Sequence, residues 1–73
     1  MNFQQLDLNL LRVLQAVYST RHVTSAAQQL FMTQSAVSNA LRRLRGHLGD
    51  PLFIRGRDGM RPTPLVEALA PTV

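Results

Sequence analysis

Apolar residues recur at helical spacing over most of this chain and break that rhythm once. Residues 7–20, DLNLLRVLQAVYST, set Leu10, Val13, Leu14 and Val17 in one stripe at about 100° per residue, and Tyr18, Leu11 and Leu8 widen it. A core-facing helix needs an arc of roughly 100°, and this one covers about twice that. It is therefore expected to meet two apolar surfaces, the second from a later helix or another chain. Asp7 suits its N-cap. Residues 23–30, VTSAAQQL, predict a short second helix with Val23, Ala26, Ala27 and Leu30 inward. FMT makes a tight turn, Thr33 caps a third helix over 34–48, and Gly49 stops it in the left-handed region. Val37, Ala40, Leu41, Leu44 and Leu48 form the inner face of that helix, and Ser35, Ser38, Asn39, Arg42, Arg43 and Gly46 the outer one.

The period changes after Asp50. PLFIR reads as a short strand, GRDG as a turn with Asp58-Gly59 its tightest pair, and MRPT as a second short strand that Pro62 confines to an edge. Arg55, Arg57 and Arg61 are expected to cluster on this hairpin. Thr63 then caps a fourth helix with Pro64 at its first position and Glu67 in its first turn, where a negative charge suits the dipole. Its stripe is Val66, Leu69, Ala70 and Val73, and Pro71 is expected to kink or pause it. The predicted fold is mainly α, a winged helix-turn-helix with a three-helix core, a short β-hairpin wing and the start of a linker helix. Residues 1–62 make the domain and 63–73 the linker.

Composition narrows the chemistry. The 73 residues suffice for one small domain near the size where a single core only just offsets chain entropy. No cysteine is present, so disulfides and thiolate zinc sites are excluded and a reducing cytoplasm is the expected setting. The net charge of +4 comes from eight arginines, no lysines and four acids, which favours polyanionic partners, nucleic acid foremost. No apolar run reaches the roughly 20 residues of a membrane span, and the N-terminus lacks a signal-peptide core. His22 and His47 are far apart without acids at ligand spacing, so no metal is expected. Ser35 and Ser38 have no histidine at motif spacing, and no glycine-rich phosphate loop occurs. Neither catalysis nor a cofactor is expected.

Two helices joined by a short turn, the second with a polar and basic outer face, suit the DNA major groove. Gln and Asn pair with adenine, arginine with guanine, and serine with base or phosphate. Arginines on a hairpin suit phosphates or a narrow minor groove. A merely solvated helix face, a winged helix used for protein contacts, and a basic amphipathic membrane binder are the alternatives; the last needs apolar faces that the core requires.

The run HVTSAAQQLFMTQSAVSNALRRLRGHLGDPLFIRGRDGMRPT resembles the N-terminal winged helix-turn-helix of LysR-type transcriptional regulators. Ala26-Ala27 with Leu30, the start Thr33-Gln34-Ser35-Ala36-Val37-Ser38, Leu41 with Leu44, the Gly49-to-Phe53 junction, Arg55 and Thr63 carry it. DLNLL and GRDGMRPTP look most like the nodulation and aromatic-catabolism subgroup. The resemblance implies DNA binding, with Gln34, Ser35, Ser38 and Asn39 near bases or adjacent phosphates and Arg55 on the backbone. Ser35 stands where many members have proline and Asn39 where many have arginine. It also implies an inducer-binding effector domain not contained in this chain, so that the chain reads as a fragment cut within its linker helix. The site set expected for DNA is Thr33, Gln34, Ser35, Ser38, Asn39, Arg42, Arg43, Arg55, Arg57 and Arg61. Leu65, Val66 and Leu69 are expected to contact a second copy in a two-fold homodimer on a palindromic operator, with higher oligomers in the full-length protein.

Overall fold

The computed structural model describes residues 8–69. Along these run α1 (Leu8–Thr20), α2 (Val23–Leu30), α3 (Gln34–Leu48), β1 (Phe53–Gly56), β2 (Gly59–Pro62) and α4 (Pro64–Leu69). The three core helices have the expected bounds. Asp7, Ala70, Pro71 and Val73, and with them the expected cap of α1 and kink of α4, lie outside the described residues.

One apolar cluster joins all these elements except β2, from which Met60 packs against it. Val13 and Val17 of α1, Val37, Leu41 and Leu44 of α3, Leu52 before β1 and Val66 of α4 are its fully buried large side chains. Each contributes about 1.5–3 kcal/mol through its removal from water. Ala26 and Ala27 let α2 lie close to its neighbours, and both are buried. The wide stripe of α1 divides. Leu10, Val13, Leu14, Ala16 and Val17 are buried, whereas Leu11 and Leu8 stand 41% and 77% exposed. Toward α4, α1 offers a hydrogen bond, the Tyr18 hydroxyl donating to Glu67 Oε1 at 2.7 Å, rather than the second apolar contact expected, and Leu8 and Leu11 remain open.

The hairpin is shorter and tighter than its sequence suggests. β1 begins at Phe53 rather than Pro51, because Leu52 takes φ +68° and the Phe53 N–H donates back to Pro51 O at 2.7 Å, a γ-turn of the rarer hand. Gly59 belongs to β2 and pairs with Gly56, so the two-residue turn is Arg57-Asp58 and not Asp58-Gly59. The ladder is antiparallel, with Phe53 opposite Pro62, Ile54 opposite Arg61 and Arg55 opposite Met60.

Asp50 clasps the foot of this hairpin. Its Oδ2 accepts from Leu52 N–H at 2.8 Å and from the Thr63 hydroxyl at 2.7 Å, and Thr63 N–H donates to Leu52 O at 2.9 Å. Thr63 is buried, and it also starts α4 by accepting from Glu67 N–H at 3.0 Å and, through its hydroxyl, from Val66 N–H at 3.4 Å. The wing tip is fastened separately. Met60 N–H donates to Arg21 O at 2.7 Å, a carbonyl made available because Arg21 ends α1 with φ +65°. A Cβ on Gly59 would stand 2.7 Å from that same oxygen and 2.9 Å from His22 Cε1, so only glycine permits the approach.

Candidate nucleic-acid interface

The outer face of α3 is held out by its inner one. Val37, Ala40, Leu41 and Leu44 are buried, Leu48 is half-buried, and Gln34, Ser35, Ser38, Asn39, Arg42 and Arg43 are exposed. The Thr33 hydroxyl accepts from Ala36 N–H at 3.0 Å, so this expected DNA contact also serves as the helix cap. At the other end Gly49 takes φ +63° and donates its N–H to Arg45 O at 2.8 Å, with Arg45 and His47 in the last turn, where cations are favoured. Arg45 is the helix arginine that points elsewhere: its Nε donates to Pro51 O at 3.2 Å. Among the described residues, the side chains of Arg42, Arg43, Arg55, Arg57 and Arg61 have no intrachain hydrogen-bond or ion-pair partner.

The wing arginines do not form one cluster. In an antiparallel ladder opposite partners share a face and neighbours alternate, so Arg55 leaves with Phe53 and Met60 while Arg61 leaves with Ile54 on the opposite face. Arg61 leans toward the tip beside Gly56, and with Arg57, Asp58, Gly59, Met60 and Arg21 it lines an open cleft of about 330 Å³. Arg55 stands apart from that cleft. Sequence reasoning misses Arg21, because it falls in the linker between two helices and only its left-handed backbone brings it under the wing. Its Nε donates to Tyr18 O at 2.6 Å and its guanidinium carbon lies 4.8 Å from the Tyr18 ring centroid, a cation–π contact. The hydrogen bond from Tyr18 to the Glu67 carboxylate raises the phenol pKa above its ordinary 10.0, reinforced by partial desolvation and the Glu67 charge.

Of the expected dimer residues, Val66 is wholly buried in the chain's own core and presents no surface to a second copy. Leu65 is half-buried against the core, and Leu69 is 47% exposed. Among the described residues no group of three or more metal-ligating side chains converges, and no helix is long and apolar enough to cross a membrane.

A family model described as the bacterial regulatory helix-turn-helix protein, lysR family, matches residues 8–67. The chain belongs to that family. Its curated LysR-type relatives include the transcriptional activator NahR of Pseudomonas putida, 51% identical over 73 residues, and nodulation protein D 1 of Rhizobium meliloti, 49% identical over 74. Both alignments take in all of this chain and 24% of the relative, so the chain spans about a quarter of the length of the proteins it matches. The name of the second agrees with the nodulation part of the resemblance read from DLNLL and GRDGMRPTP. Among solved structures, a probable transcriptional regulator from Pseudomonas aeruginosa is 48% identical with a TM-score of 0.89, over 93% of this chain and 23% of that one. The DNA-binding domain of BenM, solved in complex with catB site 1 DNA, is 30% identical with a TM-score of 0.82, over 88% of this chain and 72% of that one. The winged helix-turn-helix architecture is thereby shown. The family model, NahR and the Pseudomonas aeruginosa protein are all described as transcriptional regulators or activators.

Proposed function

We propose that this chain is the sequence-specific DNA-binding part of a bacterial transcriptional regulator, acting in the cytoplasm without catalysis or cofactor. The observation that carries this reading is the outer face of α3, where Gln34, Ser35, Ser38, Asn39, Arg42 and Arg43 are all exposed and their inward neighbours are locked in the core. A helix so mounted offers amide, hydroxyl and guanidinium groups to base edges in a major groove, and its start is the part that comes closest. That the BenM domain was solved in complex with DNA supports DNA as the partner. Arg55, Arg57 and Arg61 then supply phosphate or minor-groove contacts from the wing, and Arg21 adds a fourth cation at the cleft beneath it.

Residues 1–62 serve as the DNA-binding domain and residues 63–73 as the start of a linker helix. Two copies joined through that helix, with Leu65 and Leu69 at the contact, set their recognition helices in successive major grooves of a palindromic site. In the full-length regulator an effector domain binds a small-molecule inducer and the assembly grows beyond the dimer. The test is fluorescence anisotropy on a duplex selected by the native chain from a random pool. Ser38→Ala or Asn39→Ala is expected to lose discrimination worth about 1–3 kcal/mol at particular base pairs while keeping binding to unrelated DNA. An equal loss on every duplex removes the assignment. Affinity that barely responds to salt instead supports a protein-contacting winged helix, since phosphate contacts give a steep linear fall of log affinity with log salt.

A further inference from the structure

Phe31 is 97% exposed and holds φ +58°. Either fact alone is ordinary, since single apolar side chains are common on surfaces and helices often end in a left-handed residue. Together they conflict. The Phe31 N–H donates to Gln28 O at 3.2 Å and the Met32 N–H to Ala27 O at 2.9 Å, the paired bonds of a Schellman motif that closes α2. That motif demands the left-handed region at Phe31, where any Cβ crowds the following carbonyl and glycine or asparagine is the favoured residue. The exposed ring buries almost nothing within the chain to offset the strain.

Its surroundings indicate what the ring meets. Leu30 and Met32 on either side pack against the core, whereas Gln28, Gln29, Thr33, Gln34 and Ser35 are exposed polar residues. Along the chain the exposed ring is thus flanked by polar groups rather than by further exposed apolar residues of the kind that make the core of a protein interface. It stands two residues ahead of the Thr33 cap, continuous with the start of the recognition face. In a helix-turn-helix the first helix crosses the DNA backbone and the second lies in the groove, so the turn between them sits at the groove wall.

We propose that Phe31 is a DNA-contacting residue whose ring packs on apolar carbon of the duplex, a thymine methyl or a deoxyribose edge, where α3 enters the major groove. This rests on the DNA-binding reading given above. Such a contact accounts for an aromatic residue at a position that the backbone alone would assign to glycine or asparagine.

The experiment compares the native chain with Phe31→Asn and Phe31→Gly on a duplex selected by the native chain. Both variants are expected to melt higher, by roughly 4–8 °C, because strain is relieved and no burial is forfeited. Both are expected to bind roughly tenfold or more weakly, with an unchanged salt slope because every phosphate partner is kept. Deoxyuridine placed for thymidine, one position at a time, separates the two carbon sources. If the methyl is the contact, one such duplex weakens the native chain and leaves Phe31→Asn unaffected. If the sugar is the contact, every such duplex acts alike on both proteins and the loss caused by Phe31→Asn persists. Native binding matched by Phe31→Asn overturns this proposal alone, as does a change confined to the oligomeric state, which assigns the ring to a second copy. A native chain that binds no duplex overturns the reading beneath it.

Discussion

Residues 23–49 are positioned by apolar side chains, whereas residues 50–63 are positioned mainly by hydrogen bonds to backbone. In the helix-turn-helix, Ala26, Ala27, Val37, Leu41 and Leu44 fill a shared interior, and the polar outer face of α3 follows from that packing. In the wing, Leu52 and Phe53 reach the core, and the rest depends on the Asp50 clasp at the foot and the Arg21 carbonyl at the tip. The recognition helix therefore has many small supports and the wing a few specific ones. A whole apolar side chain is expected to count most in the first, and a single hydrogen-bonding group most in the second.

The largest effect expected is in the first region. Leu44→Ala removes a fully buried side chain from α3 and is expected to destabilise the fold by about 2–5 kcal/mol in urea titration, with base discrimination retained in the fraction that stays folded. Asp50→Ala comes next, at about 1–3 kcal/mol, because the buried Thr63 hydroxyl and the Leu52 N–H are deprived of their common acceptor. Asp50→Asn, which keeps an oxygen, is expected to lose less. If Asp50→Ala proves harmless to stability, packing rather than the clasp holds the wing, and the contrast between the regions disappears.

Gly59→Ala tests the tip. Its methyl would collide with Arg21 O at φ +122°, and the expected loss is about 1–2 kcal/mol, with the wing displaced from the α1–α2 corner. On DNA the same variant is expected to flatten the salt slope by about one unit for each phosphate that the displaced wing no longer neutralises, leaving the preference for particular bases in place. A changed base preference with an intact slope would show that the wing, too, reads sequence. The smallest effect concerns Tyr18, the single tyrosine of the chain. Its folded-state pKa is raised by donation to Glu67, so the stabilisation it gives is fully present below the unfolded value of 10.0 and is lost as pH rises through the folded one. Ultraviolet titration of the phenolate is expected to shift to lower pH in Glu67→Gln, which marks the tie between α1 and α4.

The two regions also differ in how far the sequence discloses them. The buried face of α3 is legible because Val37, Ala40, Leu41 and Leu44 repeat at helical spacing, and its ends because Thr33 and Gly49 have strong local preferences. The same rule overreaches on α1. Leu8 and Leu11 belong to an apolar arc yet lie beyond its neighbours, while Ala16, too small to stand out in the pattern, is buried. Val66 shows the converse error, since a helical stripe reads alike whether it faces the chain's own core or a second copy. In the wing, proximity in sequence suggests that Arg55, Arg57 and Arg61 act together, but strand alternation separates Arg55 from Arg61. Asp50 and Arg21 are illegible as anchors because their partners, Thr63 and Met60, are distant and the left-handed backbone at Leu52 and Arg21 has no local residue signal.

The Asp50–Thr63 bond closes a loop of 13 residues, and Tyr18–Glu67 joins positions 49 apart, whereas the turns of the helix-turn-helix close between near neighbours. Distant closures must meet the entropy of ordering the intervening chain before any contact rewards it. The helices are thus expected to assemble before the rate-limiting step and the wing to dock after it. In stopped-flow measurements across urea, Leu44→Ala should then slow refolding, while Asp50→Ala should leave the refolding arm in place and raise only the unfolding arm. A wing that docks last is also the first part to detach, so the native protein should visit, many times before each complete unfolding, a state with its recognition helix formed and its wing undocked from the α1–α2 corner.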